Sequence, residues 1–232
     1  MADRVKAKRP YHSPRRREQA AATRRDILEA AQRLFERDGY PATTMAAIAD
    51  EARVALKTVY LAFETKSGVL RALWNLRLRD DRDQLPVSEQ RRYREVLEEP
   101  DPERQLRLNA RNSREGKLRV AALAEVIRGS TALDPDIGAL WERINREYHA
   151  NQRVIVESLD HKGALQRGLT VDRATDILWA LNHPNTWQLL VTRRGWTPEQ
   201  YEQWVGDTSS AQLLSARSAG PRPRRRPTQR ES

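Results

Sequence analysis

Apolar residues recur at three- and four-residue steps along most of this chain, the spacing that lines one face of an α-helix. In residues 18–38, Ile27, Ala31, Leu34 and Phe35 fall at i, i+4, i+7 and i+8. Gly39 then stands where a left-handed cap would end the helix. In "PATTMAAIADEA" Met45, Ile48, Ala49 and Ala52 form a short apolar face, and Thr43 or Thr44 can act as its N-cap. The next stretch, "VALKTVYLAFETK", winds as a helix with Ala55, Val59, Ala62 and Phe63 on one side and Leu56 at its edge. Its other side carries Lys57, Tyr60 and Leu61, with Thr58 at the margin. A fourth helix is expected from residue 66 to about residue 83, through Val69, Leu70, Leu73, Leu76 and Leu78, with Pro86 beyond its end.

The second half reads as longer helices. "SEQRRYREVLEE" and "PERQLRLNARNSREGK" are charged and amphipathic, and Pro100 and Pro102 separate them. "LRVAALAEVIRG" is apolar along one side and reads as a buried helix. From residue 136 to about 159, Ile137, Leu140, Trp141, Ile144, Tyr148, Ile155 and Leu159 keep helical spacing. Another segment opens at a possible Thr170 cap and carries Pro184 within or between helical pieces. The last begins with Thr197 as N-cap, Pro198 at N1 and Gln200 at N3, a capping-box pattern. No segment alternates with period two, so the expected fold is all-α.

Charge adds a division along the chain. The 232 residues have a formal net charge of +10. Residues 1–17 hold about +6 and residues 215–232 about +5, which leaves residues 18–214 near −1. A basic excess confined to two ends reads as disordered arms around a near-neutral body, able to touch a polyanion. There is no cysteine, so no disulfide scaffold and no thiolate metal site. His12, His149, His161 and His183 have no paired-ligand spacing, and no phosphate-binding loop or nucleophile elbow is present. Neither an enzyme nor a cofactor or metal is expected. No run of 18 apolar residues and no apolar stretch behind the basic N-terminus occurs, so a cytoplasmic protein with no membrane contact is expected.

A short helix that leaves a lysine, a tyrosine, a threonine and a leucine together in water needs a partner. Three short helices in a row, the last two joined by a tight turn, make a helix-turn-helix, whose second helix enters the DNA major groove. Tyr60 and Thr58 can donate to phosphate or base edges. Lys57 can neutralise a phosphate or reach guanine, and Leu61 can pack on a thymine methyl.

At these residues the chain resembles the tetracycline-repressor (TetR) family of transcriptional regulators. The resemblance rests on "GYPATTMAAIADEARVALKTVYLAFETKSGVLRAL", preceded by "ILEAAQRLFERD", and covers roughly residues 23–73. It implies a phosphate contact for Thr44, recognition-helix roles for Lys57, Thr58 and Tyr60, and a phosphate contact for Lys66. Two positions depart from the family pattern. Arg53 stands where glycine is usual, and it could reach the DNA backbone. Ala55 stands where serine or threonine is frequent.

The resemblance also implies a homodimer on a palindromic operator and a small-molecule effector in a C-terminal helical domain. The expected organisation is a basic arm at 1–17, a helix-turn-helix domain at 18–66, a ligand-binding and dimerisation domain at 67–214 and a basic tail at 215–232. Trp141, Tyr148, Trp179 and Trp187, with His183 among them, are candidates for an effector pocket, because aromatic walls with a few polar groups suit small molecules. Any one of them could equally be core. Residues 171–193 and 198–214 are expected to pair across a two-fold axis, with Tyr201, Trp204 and Val205 on the contact stripe. The rival reading is a non-specific architectural nucleic-acid binder that works through its two basic tails.

Overall fold

In a computed structural model the described residues are 14–78 and 87–215. The helices are α1 (Pro14–Ala42), α2 (Met45–Glu51), α3 (Leu56–Phe63), α4 (Lys66–Leu78), α5 (Arg91–Glu98), α6 (Pro102–Gly129), α7 (Pro135–His161), α8 (Val171–Asn182), α9 (Pro184–Trp187) and α10 (Pro198–Leu213). A 3-10 turn (Val87–Glu89) precedes α5, and a π-helical turn (Gln188–Arg193) follows α9. The described residues hold no strand, only an isolated bridge between Leu165 and Leu214, as the all-α expectation required. The chain divides into two compact units, the first ending at Leu73 and the second beginning at Trp74. The expectations for residues 1–13, 79–86 and 216–232, which include most of both basic tails, lie outside the described residues.

In the first unit, Ile27, Ala31, Leu34 and Phe35 of α1 are buried with Ile48 and Ala49 of α2, Val59 and Phe63 of α3, and Val69, Leu70 and Leu73 of α4. Gly39 breaks α1 with φ 79°, a value glycine adopts without strain. The break turns Tyr40 back onto Phe35, with ring centroids 5.7 Å apart. Thr43 is buried and donates to the Gly39 carbonyl at 2.8 Å, while Thr44 is the N-cap of α2 and accepts from the Ala47 amide at 3.0 Å. The α2–α3 turn places Arg53 at φ 55°, a conformation that costs a side-chain-bearing residue about 1–2 kcal/mol. Ala55 caps α3 by backbone alone, with no side-chain hydrogen bond.

The start of α4 is tighter. The Thr65 hydroxyl accepts from the Gly68 amide at 2.9 Å. A Cβ at Gly68 would sit 2.2 Å from the Phe63 carbonyl oxygen. Glycine is what allows α4 to close against the end of α3.

In the second unit α6 is one continuous helix where the sequence pattern showed two segments. Asp101 caps it by accepting from the Arg104 amide at 2.8 Å, with Pro102 in the first turn. Asp134 caps α7 in the same manner, and Thr170 caps α8. At His183 the helical path breaks before Pro184, whose missing N–H and ring cannot continue α8. The Thr197–Gln200 capping box forms at the start of α10. One buried cluster joins α5, α6, α7, α8 and the end of α10 through Val96, Leu106, Ile155, Leu159, Leu178 and Leu213.

Gly68→Ala should lower the stability of the first unit by about 1–3 kcal/mol, the usual effect of forcing an atom into a packed site. Urea unfolding of the full chain followed by circular dichroism measures it. An unchanged midpoint would show that α4 can move away from Phe63 freely.

Candidate functional site

The eight residues of α3 are held by one face. Val59 and Phe63 are buried, whereas Lys57 is exposed, Tyr60 is 49% exposed and Leu61 76%. Thr58 is half-buried at the margin, as the helical spacing predicted. Arg53 and Thr44 are exposed in the same unit, and the cap uses the Thr44 hydroxyl oxygen as acceptor, not its proton. A groove of about 450 Å³ runs between α1 and α3, lined by Gln19, Thr23, Arg24, Thr58 and Leu61. The sequence reading did not single out Gln19 and Thr23, because a helical wheel of α1 shows only that they face away from its core.

Two cations bind backbone carbonyls within this unit. Arg24 donates through Nη1 to the Ala62 carbonyl at 2.6 Å, and its guanidinium lies 4.1 Å from the centre of the Phe63 ring. It thereby satisfies a free carbonyl in the last turn of α3 and places positive charge at the negative end of that helix. Lys66 was expected to hold a phosphate. Its Nζ instead donates to the carbonyls of Tyr40 at 2.8 Å and Thr43 at 2.9 Å, and lies 4.2 Å from the centre of the Tyr40 ring. The break at Gly39 exposes those carbonyls, so the lysine closes the α1–α2 connection.

The second unit contains a polar seam. On α6, Gln105, Asn109, Ser113 and Lys117 follow one another at four-residue steps, a line on one helix face. α7 answers it. The Gln105 amide donates to Ser158 at 3.0 Å, the Asn109 amide to Gln152 at 3.1 Å, and Ser113 pairs with the Tyr148 hydroxyl at 3.2 Å. Tyr148 in turn donates to the Asn182 carbonyl at 2.7 Å. Lys117 is buried at the end of the line, hydrogen-bonded to Ser113 and 3.4 Å from the Tyr148 hydroxyl. Burial pushes its ammonium down to about 7, and pushes the Tyr148 and Tyr201 hydroxyls up. His183 is pushed down to about 4 by burial and by the charge of Lys117.

Of the aromatic candidates, the structure brings Trp179 and His183 together at 4.8 Å and Trp141 and His183 at 6.1 Å. Tyr148 belongs to the adjoining seam. Trp187 does not join this group; it packs edge-on to Tyr201 at 5.0 Å, in a core cluster with Ala110 and Val205. That placement corrects the expected dimer stripe as well. Tyr201 and Val205 are buried within the single chain, Tyr201 donating to the Leu181 carbonyl at 2.8 Å, so neither is available to a partner. Only Trp204 of the three is partly exposed, set edge-on to Trp196 at 5.9 Å. Among the described residues no group of three or more His, Asp or Glu could hold a metal ion, and no helix is long and apolar enough to cross a membrane.

Residues 27–73 match the family of bacterial regulatory proteins called tetR. The match lies within the first unit and covers α2, α3 and most of α1 and α4. α2 and α3, joined by a tight turn, have the arrangement of a helix-turn-helix. Solved structures share the fold over most of the chain at low identity. NalD, the secondary repressor of the MexAB-OprM multidrug efflux pump in Pseudomonas aeruginosa, is 22% identical with a TM-score of 0.64, over 86% of this chain and 99% of that one. SmeT, in complex with triclosan, is 18% identical with a TM-score of 0.65, over 90% and 100%. A TetR transcription regulator from Haloarcula marismortui is 16% identical with a TM-score of 0.63, over 84% and 100%. A search of curated proteins finds no match to the chain.

Two measurements follow from these contacts. Lys66→Met should destabilise the first unit by about 1–3 kcal/mol, because two carbonyls lose their donor. Unaltered stability with a salt dependence of DNA binding shallower by about one unit would return Lys66 to the phosphate role. Lys117 acts through pH. Its folded value near 7 lies below its ordinary 10.5, so between them the unfolded chain binds the extra proton and stability rises with pH. Lys117→Met removes that rise. The stability of wild type relative to the variant should therefore increase from pH 7 to pH 9 in urea titrations, and a flat difference would contradict the buried ammonium.

Proposed function

We propose that this chain is a TetR-family transcriptional regulator, a ligand-responsive repressor that binds a palindromic operator as a dimer and acts in the cytoplasm. The outer face of α3 carries the reading: a short helix, fixed from behind by Val59, Phe63 and Arg24, offers Lys57, Thr58, Tyr60 and Leu61 to solvent. Lys57 supplies a cation for phosphate or for guanine O6 and N7, Tyr60 and Thr58 supply hydroxyl donors, and Leu61 supplies an apolar contact for a thymine methyl. Thr44 and Arg53 flank them as backbone contacts. One such helix buries too little to select a site in a genome, which is the physical reason for two copies. Their contact uses outward-facing parts of the last helices, since Tyr201 and Val205 are occupied inside.

The effector reading is supported by the polar seam and by Trp141, Trp179 and His183 beside it. SmeT, which shares the fold, holds triclosan, a small molecule. A ligand that binds one arrangement of the second unit better than another shifts the population between DNA-competent and DNA-incompetent states.

Selection of bound DNA from a random pool by the full chain should return a palindrome whose half-sites lie about 34–36 Å apart, or a multiple of one turn. A pool that stays unselected would favour the non-specific reading through the basic tails. On the selected site Tyr60→Phe should weaken binding by about 1 kcal/mol or more, since a hydrogen bond to a charged phosphate contributes roughly 1.5–3 kcal/mol. Unchanged titrations would remove Tyr60 from the interface.

A further inference from the structure

The seam between α6 and α7 is matched rung by rung until its last position. Gln105 meets Ser158 and Asn109 meets Gln152, each a neutral donor on a neutral acceptor. Lys117, 5% exposed, breaks the series. Among the described residues its ammonium has hydroxyl partners, Ser113 and Tyr148, and the faces of the Tyr148 and Tyr201 rings at 5.7 and 5.3 Å. Among the described residues no carboxylate pairs with it, although Arg114, on the same helix, binds both Glu199 and Glu202. A buried cation without an anion is a costly arrangement, and one that an incoming anion relieves. The adjoining wall adds a second, independent sign. Asn182 Oδ1 and Trp179 Nε1 are buried with no hydrogen-bond partner, an acceptor and a donor left over beside the seam.

We propose that Lys117 is the anchor of an effector site for a small aromatic acid, with the carboxylate on the Lys117 ammonium and the ring among Trp141, Trp179 and His183. The proposal rests on the effector-responsive reading above and names the ligand class of that response. Carboxylate on ammonium supplies the missing counter-charge, and the Trp179 indole N–H gives a second donor to an anionic or hydroxyl oxygen. A ring substituent that donates, such as a hydroxyl, finds its acceptor in Asn182 Oδ1. Trp141 and Trp179 are both partly exposed, so the ring enters by parting them from His183.

The test uses the full-length protein and six probes: benzoate, salicylate and 1-naphthoate, each with its neutral amide. Calorimetric titration should show at least one acid binding tenfold or more tightly than its amide. In Lys117→Met, and in Lys117→Gln, that preference should fall to within about twofold while circular dichroism shows the fold retained. Equal binding of acids and amides by the wild type, an acid preference that survives both substitutions, or no binding of any probe would each overturn the site. Occupancy of the selected DNA site, followed in parallel, separates the two readings. Amides that release DNA as well as acids do would leave the effector response standing and remove the anion site. An acid that binds through Lys117 without altering DNA occupancy would uphold the site and remove the response.

Discussion

An eight-residue helix is not stable in water by itself. α3 therefore exists only because Val59 and Phe63 are buried against the rest of the first unit. It lacks even a side-chain cap, since Ala55 stands at that position. Its opposite end is held by tertiary contacts: Arg24 binds the Ala62 carbonyl and covers the Phe63 ring, and Gly68 lets α4 approach the Phe63 carbonyl closely. With the inner face fixed in this way, the outer side chains carry no structural duty. Lys57, Tyr60 and Leu61 can be set by what they bind.

The same economy of cations shapes the electrostatics. Residues 18–66 are close to neutral, and Arg24 and Lys66 are engaged with backbone carbonyls of their own unit. Long-range attraction to a polyanion must then come from few exposed groups, Lys57 and Arg53 among them, and from the basic ends of the chain. Arg53 carries a charge at a left-handed turn where glycine would relieve strain. A cation retained against that conformational cost is what a DNA-facing turn would favour.

The second unit solves a different problem. α6 and α7 pack not through an apolar stripe alone but through a line of amides and hydroxyls that satisfy one another. Such pairs contribute little net stability each, yet they penalise every misaligned register, because a slipped partner leaves a buried polar group unmet. Lys117 sits where that satisfaction fails. His183 is held neutral by its own burial and by the charge of Lys117, so the cluster of His183, Trp141 and Trp179 is an uncharged aromatic wall at ordinary pH.

Much of this was legible in the residues alone. The apolar spacing located the helices, the Thr43–Thr44 pair, Thr170 and Thr197 marked their starts, and the wheel of α3 separated Val59 and Phe63 from Lys57, Tyr60 and Leu61, because local periodicity reports which face is buried. The continuity of α6 was not legible: its middle is polar, and a polar stretch reads as exposed until the partners on α7 are known. For the same reason Lys117 passed unnoticed, although Gln105, Asn109, Ser113 and Lys117 at four-residue steps were there to be read. Lys66 and Arg24 could have faced solvent or DNA as far as spacing shows; only the folded chain brings Tyr40, Thr43 and Ala62 to them from 26, 23 and 38 residues away. Tyr201 and Val205 looked like a contact stripe because an apolar face does not state what covers it. The sequence determined that they would be covered, and tertiary packing against Trp187 and Ala110 decided that the cover comes from within the chain.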